Sequence, residues 1–285
     1  MNYGMPYKGS KSKMAEWIID ILPGGKVLVD AFGGGGAISH CAVLSGKWEK
    51  VIYNELEPLI AKAFSMAAHG KFKGERRWIS REEFNLLKDS DPYAAICFSF
   101  GNDLKTYCYG KDIEEGKRLL HELIFEEDVQ KRRLCWHKMI TFLQRLQSLQ
   151  SLQSLERLQS LESLESLERL QSLEIHNMSY ECLEIPDGAI IYCDIPYKDT
   201  NDYISEFNHE KFYDWCRNNK NLVFISEYSM PNDFHLVDQI EKRTTLSSTN
   251  NNTKTIERLY CNKPFKRPKQ VTLFDFLKED ENDTL

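Results

Sequence analysis

The sequence lacks the long hydrophobic runs and the cysteine pairs that mark membrane and secreted proteins. No apolar stretch approaches the roughly 18 residues that cross a bilayer, and the first residues contain no apolar signal-peptide segment. The eight cysteines are scattered without a Cys-x-x-Cys pair, so neither a zinc site nor a disulfide framework is indicated. These absences predict a cytoplasmic protein in a reducing compartment, with no membrane segment and no metal.

The chain also lacks a positive net charge, because 37 Lys and Arg stand against 43 Asp and Glu, which gives −6 over 285 residues. Net charge does not report how charges are distributed. Basic clusters occur within 8–13, 76–81, 131–133 and 263–269, and acids gather in 279–283. Each basic cluster fits a solvated face or a phosphate contact equally well. We expect a local positive cleft rather than a basic protein.

A short polar motif follows one apolar run near the middle of the second half. Residues 189–193 are apolar and β-forming, and Asp194-Ile195-Pro196-Tyr197 follows them directly. A carboxylate, a proline-restrained backbone and an aromatic ring at the end of a buried strand can hold a flat base and its exocyclic amine. A purely structural turn would show the same four residues, since short motifs often match by chance.

A glycine-rich turn lies far upstream of this motif. The pattern predicts a strand over 26–30, a turn through Gly33, Gly34, Gly35 and Gly36, and a helix over 37–44. Glycines at such a turn allow a ligand to approach the helix N-terminus closely. A second strand over 50–53 leads to Glu55, about 20 residues beyond the glycines, where a carboxylate suits ribose hydroxyls. The third glycine of the dinucleotide fingerprint is absent, so nucleotide-type binding of another kind is favoured.

The N-terminal segment carries a third motif, Tyr7-Lys8-Gly9-Ser10-Lys11, before a predicted amphipathic helix over 12–21. Small residues beside a lysine can approach and neutralise a ligand carboxylate. By itself the segment favours a solvated basic N-terminus over a ligand contact.

Together, the three motifs resemble the Dam-like N6-adenine DNA methyltransferases, including the phage members. That family has an aromatic-x-Gly-Gly-Lys segment, an Asp-Pro-Phe-x-Gly-x-Gly loop and an Asp-Pro-Pro-Tyr tetrapeptide in the order seen here. The resemblance covers roughly residues 1–70 and 178–262. Three positions depart from it: Ser10 replaces a glycine, and Ala31 and Ile195 replace prolines.

The resemblance implies an α/β fold: a Rossmann-like S-adenosylmethionine-dependent methyltransferase sheet, mainly parallel, with a mostly helical inserted recognition region. It implies methyl transfer from S-adenosyl-L-methionine to N6 of a flipped-out adenine in double-stranded DNA, in a bacterial or phage-infected cell. It assigns the catalytic site to Asp194, Ile195, Pro196 and Tyr197. It assigns the cofactor site to Tyr7, Gly9, Lys11, Asp30, Phe32, Gly34, Gly36, Glu55 and Asp194. No metal is expected.

The domain organisation follows from the same comparison. Residues 1–70 and 178–262 are predicted to form the catalytic domain, with an inserted target-recognition region over 71–177 and a tail over 263–285. Amphipathic helices are predicted over 113–126 and 128–142. The aromatic and polar segment 98–107 is equally compatible with a base-contacting surface and a packed loop.

The inserted region contains a leucine at every third residue from Leu143 to Leu173, eleven in all. Period three misses the coiled-coil period of 3.5 and spreads the leucines around a long α-helix. A tolerant insertion is therefore favoured over a leucine zipper, with self-association left open.

The tail contains Gln270-Val271-Thr272-Leu273-Phe274 after a basic linker. This pentapeptide resembles the motif by which bacterial DNA enzymes bind the sliding clamp, with Gln270, Leu273 and Phe274 as the contacting residues. Packing of the tail onto the domain is an equal alternative.

Two other functions remain open for the whole chain. One is an RNA or cytosine-N4 methyltransferase with a similar pocket, and the other is a non-enzymatic DNA-binding or scaffold protein.

Overall fold

The computed structural model describes residues 2–145, 156–168, 170, 172–196, 207–243 and 254–267. Tyr197 and the three tail residues Gln270, Leu273 and Phe274 lie outside these ranges, as do residues 146–155 of the leucine repeat. Within them, no helix is both long and apolar enough to cross a membrane.

A seven-stranded sheet forms the centre of the protein, with the strand order β3-β2-β1-β4-β5-β7-β6. The strands are β1 (Gly25–Asp30), β2 (Trp48–Asn54), β3 (Leu173–His176), β4 (Ile190–Asp194), β5 (Leu222–Glu227), β6 (His235–Arg243) and β7 (Lys254–Cys261). The pairings among β1 to β5 are parallel, whereas β7 runs antiparallel to both β5 and β6. The predicted α/β class with a mainly parallel sheet is confirmed. The order 3-2-1-4-5 is that of doubly wound nucleotide-binding sheets.

Helices cover both faces of this sheet and fill the inserted region. They are α1 (Ala15–Ile21), α2 (Ala37–Ser45), α3 (Pro58–Ala68), α4 (Arg81–Leu87), α5 (Pro92–Cys97), α6 (Glu114–Phe125), α7 (Val129–Arg145), α8 (Glu156–Glu165) and α9 (His209–Asn218). A 3-10 turn over Ser12–Met14 begins the predicted first helix. Between α3 and β3 the described regular elements are helices, joined by loops, with one isolated bridge between Ser99 and Tyr107.

Each central strand buries both of its faces, as expected for parallel strands covered by helices. Leu28, Ile190 and Tyr192 pack against α1 and α2 on one side. The alternating neighbours Ile191 and Cys193 pack against α9 on the other side. This alternation explains why residues 189–193 are a continuous apolar run, and it makes Cys193 a packing residue.

A third apolar cluster joins the inserted helices to the sheet. Tyr53 at the end of β2 stacks on Phe64 of α3, with ring centroids 4.2 Å apart, and Tyr93 and Phe98 belong to the same cluster. Within the segment 98–107, Phe98 and Tyr107 are buried while Phe100 is exposed. The packed-loop interpretation therefore holds for the two buried rings.

The leucine repeat also contributes to this cluster, which corrects its interpretation as a tolerant insertion. Leu161 and Leu164 of α8, and Leu167 in the following turn, are 7%, 0% and 0% exposed. Leucines three residues apart are displaced by only about 60° around a helix. Leu161 and Leu164 therefore share one face of a helix of ten residues, and Leu167 follows in the next turn. Only a longer helix would spread the leucines over every face. The last leucine, Leu173, begins β3 and pairs with Val51 of β2, so the sheet includes residues 173–176 of the predicted insertion.

Candidate functional site

The carboxyl ends of the parallel strands bring four polar side chains to one edge of the sheet. Asp30 ends β1, Asn54 ends β2, Asp194 ends β4 and Glu227 ends β5. The strand order reverses between β1 and β4, which are neighbours in the sheet. Ligands of open α/β sheets bind outside the carboxyl ends at such a reversal. The candidate site therefore lies between Asp30 and Asp194.

The glycine loop turns tightly above β1 and leads into α2. The Gly33 amide donates to the Asn54 carbonyl at 2.8 Å, and the Gly36 amide donates to the Gly33 carbonyl at 2.7 Å. Gly36 has φ +72°, and a Cβ there would lie 2.1 Å from the ring of Phe64. Only glycine allows this left-handed backbone to rest directly on the buried ring.

Glu55 binds the glycine loop itself. Its Oε2 accepts from the Gly34 amide at 2.7 Å, and its Oε1 accepts from the Glu57 amide at 2.9 Å. Tyr53 donates its hydroxyl to the Gly34 carbonyl at 2.8 Å. Burial raises the pKa of Glu55, although the amide hydrogen bonds oppose this. The carboxylate that the sequence assigns to a ribose thus also fixes the shape of the loop.

Asp30 lies beneath the loop and is 1% exposed. Its Oδ2 accepts from the amide of Ser39 at 3.2 Å and from its hydroxyl at 2.7 Å. Its Oδ1 is buried without a hydrogen-bond partner in the structure. Burial raises the pKa of Asp30 to about 7, and the nearby carboxylates of Asp194 and Glu55 add to the rise. The supporting role of Asp30 for the loop stays a prediction, and its hydrogen bonds hold the start of α2.

The N-terminal motif packs onto the glycine loop and reaches the Asp194 motif. The Met5 amide donates to the Gly35 carbonyl at 2.6 Å. A Cβ on Gly34 would meet the ring of Tyr7 at 3.3 Å, so this ring covers the loop. Gly9, with φ +85°, turns the chain toward Lys11. The structure thus brings all three sequence motifs together.

Lys11 forms an ion pair with Asp194 inside the protein. Its Nζ lies 2.7 Å from Asp194 Oδ1 and 3.4 Å from Glu257 Oε1 of β7. Lys11 is 6% exposed, Glu257 is 2% exposed and Asp194 is 22% exposed. Burial lowers the pKa of Lys11, but the two carboxylates outweigh this and the net pKa is raised. The lysine that the sequence assigns to a ligand carboxylate therefore contacts two carboxylates of the protein.

Glu227 adds a third carboxyl group to this charged cluster. It is 2% exposed, and its Oε1 accepts from the Tyr228 amide at 2.7 Å. Its Oε2 is buried and has no hydrogen-bond partner in the part of the chain that the structure describes. Burial raises the pKa of Glu227 to about 7, and Asp194 and Glu257 add to the rise while Lys11 opposes it. Among the described residues, no group of His, Cys, Asp and Glu side chains is arranged to hold a metal ion.

The segment after Asp194 is held on both sides. Ile195 is buried, and the Pro196 carbonyl accepts from Nε2 of His209, at the start of α9, at 2.9 Å. Asp194 pairs in register with Ser226, whose hydroxyl bonds the buried Tyr192 hydroxyl at 2.8 Å. These contacts fix the backbone that follows β4.

Aromatic rings form a further wall beside the loop. Phe32 packs against Tyr180, Phe207 and Phe212, with ring centroids 5.2, 5.8 and 5.7 Å away. Phe32, Tyr180 and Phe207 are half-buried, so the wall has accessible apolar surface. Such a surface can pack on a planar ring.

Three residues that help to build the site were not predicted from the sequence. Asn54 donates to the carbonyls of Ala31 and Met178 at 3.1 and 3.0 Å and so joins the loop to the chain after β3. Its position at a strand end was a usable signal. Glu227 follows the apolar run 222–225 at the end of β5, which was also a usable signal. Glu257 lies in a polar stretch of β7 with no motif around it.

Comparison with known proteins supports the predicted family. Residues 7–66 match the family model described as D12 class N6 adenine-specific DNA methyltransferase. This match confirms the predicted resemblance and supports an adenine-specific DNA methyltransferase as the enzyme class, with DNA as the substrate. It includes the N-terminal motif, the glycine loop and Glu55, and ends before Asp194.

Among solved structures, the chain is similar to a crystal structure of a "putative methylase" from Haemophilus influenzae. The two share 14% identity and a TM-score of 0.33, and the alignment covers 91% of this chain and 92% of that chain. A TM-score this low does not establish a common fold, so the fold assignment rests on the strand order. No curated protein sequence matches the chain.

Proposed function

We propose that the protein transfers a methyl group from S-adenosyl-L-methionine to N6 of an adenine flipped out of double-stranded DNA. The observation that carries this proposal is the pairing of Lys11 with Asp194 at the end of β4, beside a glycine loop covered by Tyr7. A fixed carboxylate next to a nucleotide-type loop is the arrangement that N6 methylation requires.

The proposed role of Asp194 follows from the electronic structure of the adenine amine. The N6 lone pair is delocalised into the ring, so the amine is a poor nucleophile. Asp194 and the carbonyl of Ile195 would accept the two N6–H bonds and direct the lone pair out of the ring plane. Held acceptors of this kind supply orientation and transition-state stabilisation. Asp194 is suited to this role because Lys11 holds Oδ1 at 2.7 Å.

Tyr197 is proposed to stack on the extruded adenine, as the resemblance implies; it lies outside the described residues. Flipping a base costs a few kcal/mol. Stacking on an aromatic side chain returns roughly 1–3 kcal/mol. The His209 contact to the Pro196 carbonyl would hold the preceding backbone in place.

The residues of the site fit a cationic cofactor. S-adenosyl-L-methionine would supply an electrophilic methyl group on a positively charged sulfur. Two buried carboxyl oxygens, Asp30 Oδ1 and Glu227 Oε2, have no hydrogen-bond partner among the described residues. The pKa of each group is raised to about 7, so a cation bound at this edge of the sheet would favour their ionised forms. Phe32 and Tyr7 offer aromatic surface, and Glu55 is proposed to contact a ribose in addition to the Gly34 amide.

The inserted region is proposed to contact DNA. Helix α7 contains Lys131, Arg132, Arg133 and Lys138 and no acidic residue, although the whole chain has a net charge of −6. All four side chains are exposed, and Trp136 between them is 54% exposed. A basic helix with an exposed aromatic suits phosphate contacts and base or sugar packing. The proposed division into residues 1–70 and 178–262, with 71–177 inserted, then places DNA recognition in the insertion.

The tail is proposed to bind a bacterial sliding clamp through Gln270, Leu273 and Phe274. Such docking would raise the effective concentration of the enzyme on DNA. We do not propose that Leu161, Leu164 and Leu167 mediate self-association, because they are buried in the core of their own chain.

The test is methyl transfer by an Asp194→Asn variant, which keeps the shape of the side chain. With labelled cofactor and duplex DNA, we expect kcat to fall by about 100- to 1,000-fold, the loss typical of removing one pre-organised group. Because Asp194 is also assigned to the cofactor site, kcat is measured at saturating cofactor and the cofactor dissociation constant is determined separately. The matched control is Asp233→Asn on the exposed Arg217 pair, which should retain wild-type activity.

The choice of substrate separates the proposal from its alternatives. Methylation of duplex DNA should disappear when adenine is replaced by purine, which lacks the N6 amine. Transfer to RNA or to cytosine instead would favour the RNA or cytosine-N4 alternative. Binding of DNA without any transfer by the folded wild type would favour a non-enzymatic protein. An Asp194→Asn variant with wild-type kcat would refute the assigned role.

A further inference from the structure

Glu257 is a buried carboxylate that neither the family match nor the sequence motifs assign to the site. It lies on β7 and pairs in register with Ile240 of β6, on the far side of β5 from Asp194. It nevertheless reaches Lys11, with Oε1 3.4 Å from Nζ, and it is 2% exposed. A glutamate buried to this degree requires a reason, since an uncompensated buried charge is costly.

The shared lysine determines the net charge beside the adenine-binding end of β4. Lys11 paired with Asp194 alone would form a neutral unit, and its positive charge would weaken Asp194 as a hydrogen-bond acceptor. With Glu257 on the same Nζ, two carboxylates share one positive charge. The three groups Lys11, Asp194 and Glu257 then have a net charge of about −1. Lys11 can then fix Asp194 in place without cancelling its negative potential.

The rise in the pKa of Glu227 is consistent with this charge balance. Burial is the main cause of this rise, and Asp194 and Glu257 each raise the pKa of Glu227 by more than Lys11 lowers it. The neighbouring group therefore experiences an environment with excess negative charge.

We propose that Glu257 is a positioning residue for methyl transfer: it shares the charge of Lys11, so that Asp194 is held in place and remains an anionic acceptor for the N6 amine. The inference rests on the proposed function. During transfer the S–CH3 bond breaks and the N6–CH3 bond forms, so positive charge leaves sulfur and appears on the amine, which then releases a proton to solvent. The negative charge that Asp194 keeps when Glu257 shares Lys11 stabilises the positive charge that appears on the amine.

The first experiment compares Glu257→Gln with the wild type in single-turnover and steady-state methylation of duplex DNA. Glutamine keeps the shape and the contact to Lys11 but removes the charge. We expect the single-turnover rate to fall by about 10- to 100-fold, less than for Asp194→Asn, because Glu257 acts one residue removed from the base. The dissociation constants of cofactor and DNA should stay within about threefold, a margin that corresponds to well under 1 kcal/mol.

Two further variants separate positioning from a merely structural role. Glu257→Asp retains the charge and should recover most of the lost rate. Glu241→Gln makes the same chemical change on the solvent-exposed neighbouring strand of the hairpin and should leave the rate unchanged. A folded Glu257→Gln with a wild-type rate, or with weaker cofactor binding at an unchanged rate, would overturn the inference.

A second experiment tests the shared lysine independently of any activity. Urea unfolding is measured for Lys11→Met, Glu257→Gln and the double variant. Each single variant leaves one buried charge without this partner, so the double variant should lose less stability than the two single losses together. The same cycle with Asp233→Asn in place of Glu257→Gln should be additive, because Asp233 pairs with Arg217. Additive losses for Lys11 and Glu257 would overturn the inference even in a protein that methylates no DNA, whereas an intact coupling in an inactive wild type would refute only the proposed function.

Discussion

The carboxyl group of Asp30 gives a direct test of the electrostatics beneath the glycine loop. Burial raises its pKa from 3.8 to about 7 in the folded protein. Between these values the folded protein holds a proton that the unfolded chain has released. The contribution of Asp30 to stability is therefore highest below about pH 4 and falls as pH rises toward about 7. It is constant above about pH 7, where Asp30 is ionised in both the folded and the unfolded state.

The magnitude follows from the size of the shift. A rise of about three pKa units corresponds to about 4 kcal/mol between pH 4 and pH 7, or about 1.4 kcal/mol for each pH unit. Asp30→Asn removes the titration but leaves a carbonyl oxygen that can accept from Ser39, so the packing is retained. The difference in the free energy of unfolding, variant minus wild type, should therefore increase as pH rises from 5 to 7. Above pH 7 this difference should be constant.

The assay is urea unfolding of both proteins at pH 5, 6, 7 and 8, followed by circular dichroism. Glu55 and Glu227 titrate in both proteins, so their effects largely cancel in the difference. Asp233→Asn is the control, because Arg217 holds the pKa of Asp233 below its usual value and its difference should be flat over this range. A flat difference for Asp30→Asn as well would show that Asp30 is ionised in the folded protein and would refute the reasoning.

Two further predictions concern the packing that supports the site. Leu164→Ala should destabilise the protein by about 2–5 kcal/mol, as for other buried leucines. The control Leu86→Ala, at an 81% exposed position, should change stability by less than about 0.5 kcal/mol. Equal melting temperatures of the two variants would mean that the repeat is not a core element. Gly36→Ala should weaken cofactor binding and lower the melting temperature more than Gly46→Ala, because both glycines have positive φ but only Gly36 has a ring, that of Phe64, within 4 Å. Equal losses in the two glycine variants would contradict the proposed contact.

The local elements could be predicted from the sequence because their signals are local. The predicted strands at 26–30 and 50–53 agree with β1 and β2 within two residues at each end, and the predicted helix 37–44 agrees with α2 to one residue. Apolar runs, glycine turns and amphipathic spacing each report on neighbouring residues along the chain. The order of the three motifs was also sufficient to identify the family resemblance.

The leucine repeat shows where a periodic pattern misleads. Its period of three argues against a continuous helical face. The helix is nevertheless short, so Leu161 and Leu164 lie on one side of it, and Leu167 in the following turn packs in the same cluster. The length of the helix and the partner surface decide whether a drifting pattern can be buried. Neither quantity is encoded in the repeat itself.

The sequence by itself determined three of the groups that the structure brings together: the glycine loop, Asp30 and the Asp194 motif. Only the tertiary structure decided which charges share an environment, because Lys11 and Asp194 are far apart along the chain and Glu257 comes from an antiparallel strand inserted beyond β5. Coulomb interactions and desolvation depend on distance in space and on burial. The arrangement of one lysine between two carboxylates therefore became visible only when the sheet brought the three side chains together.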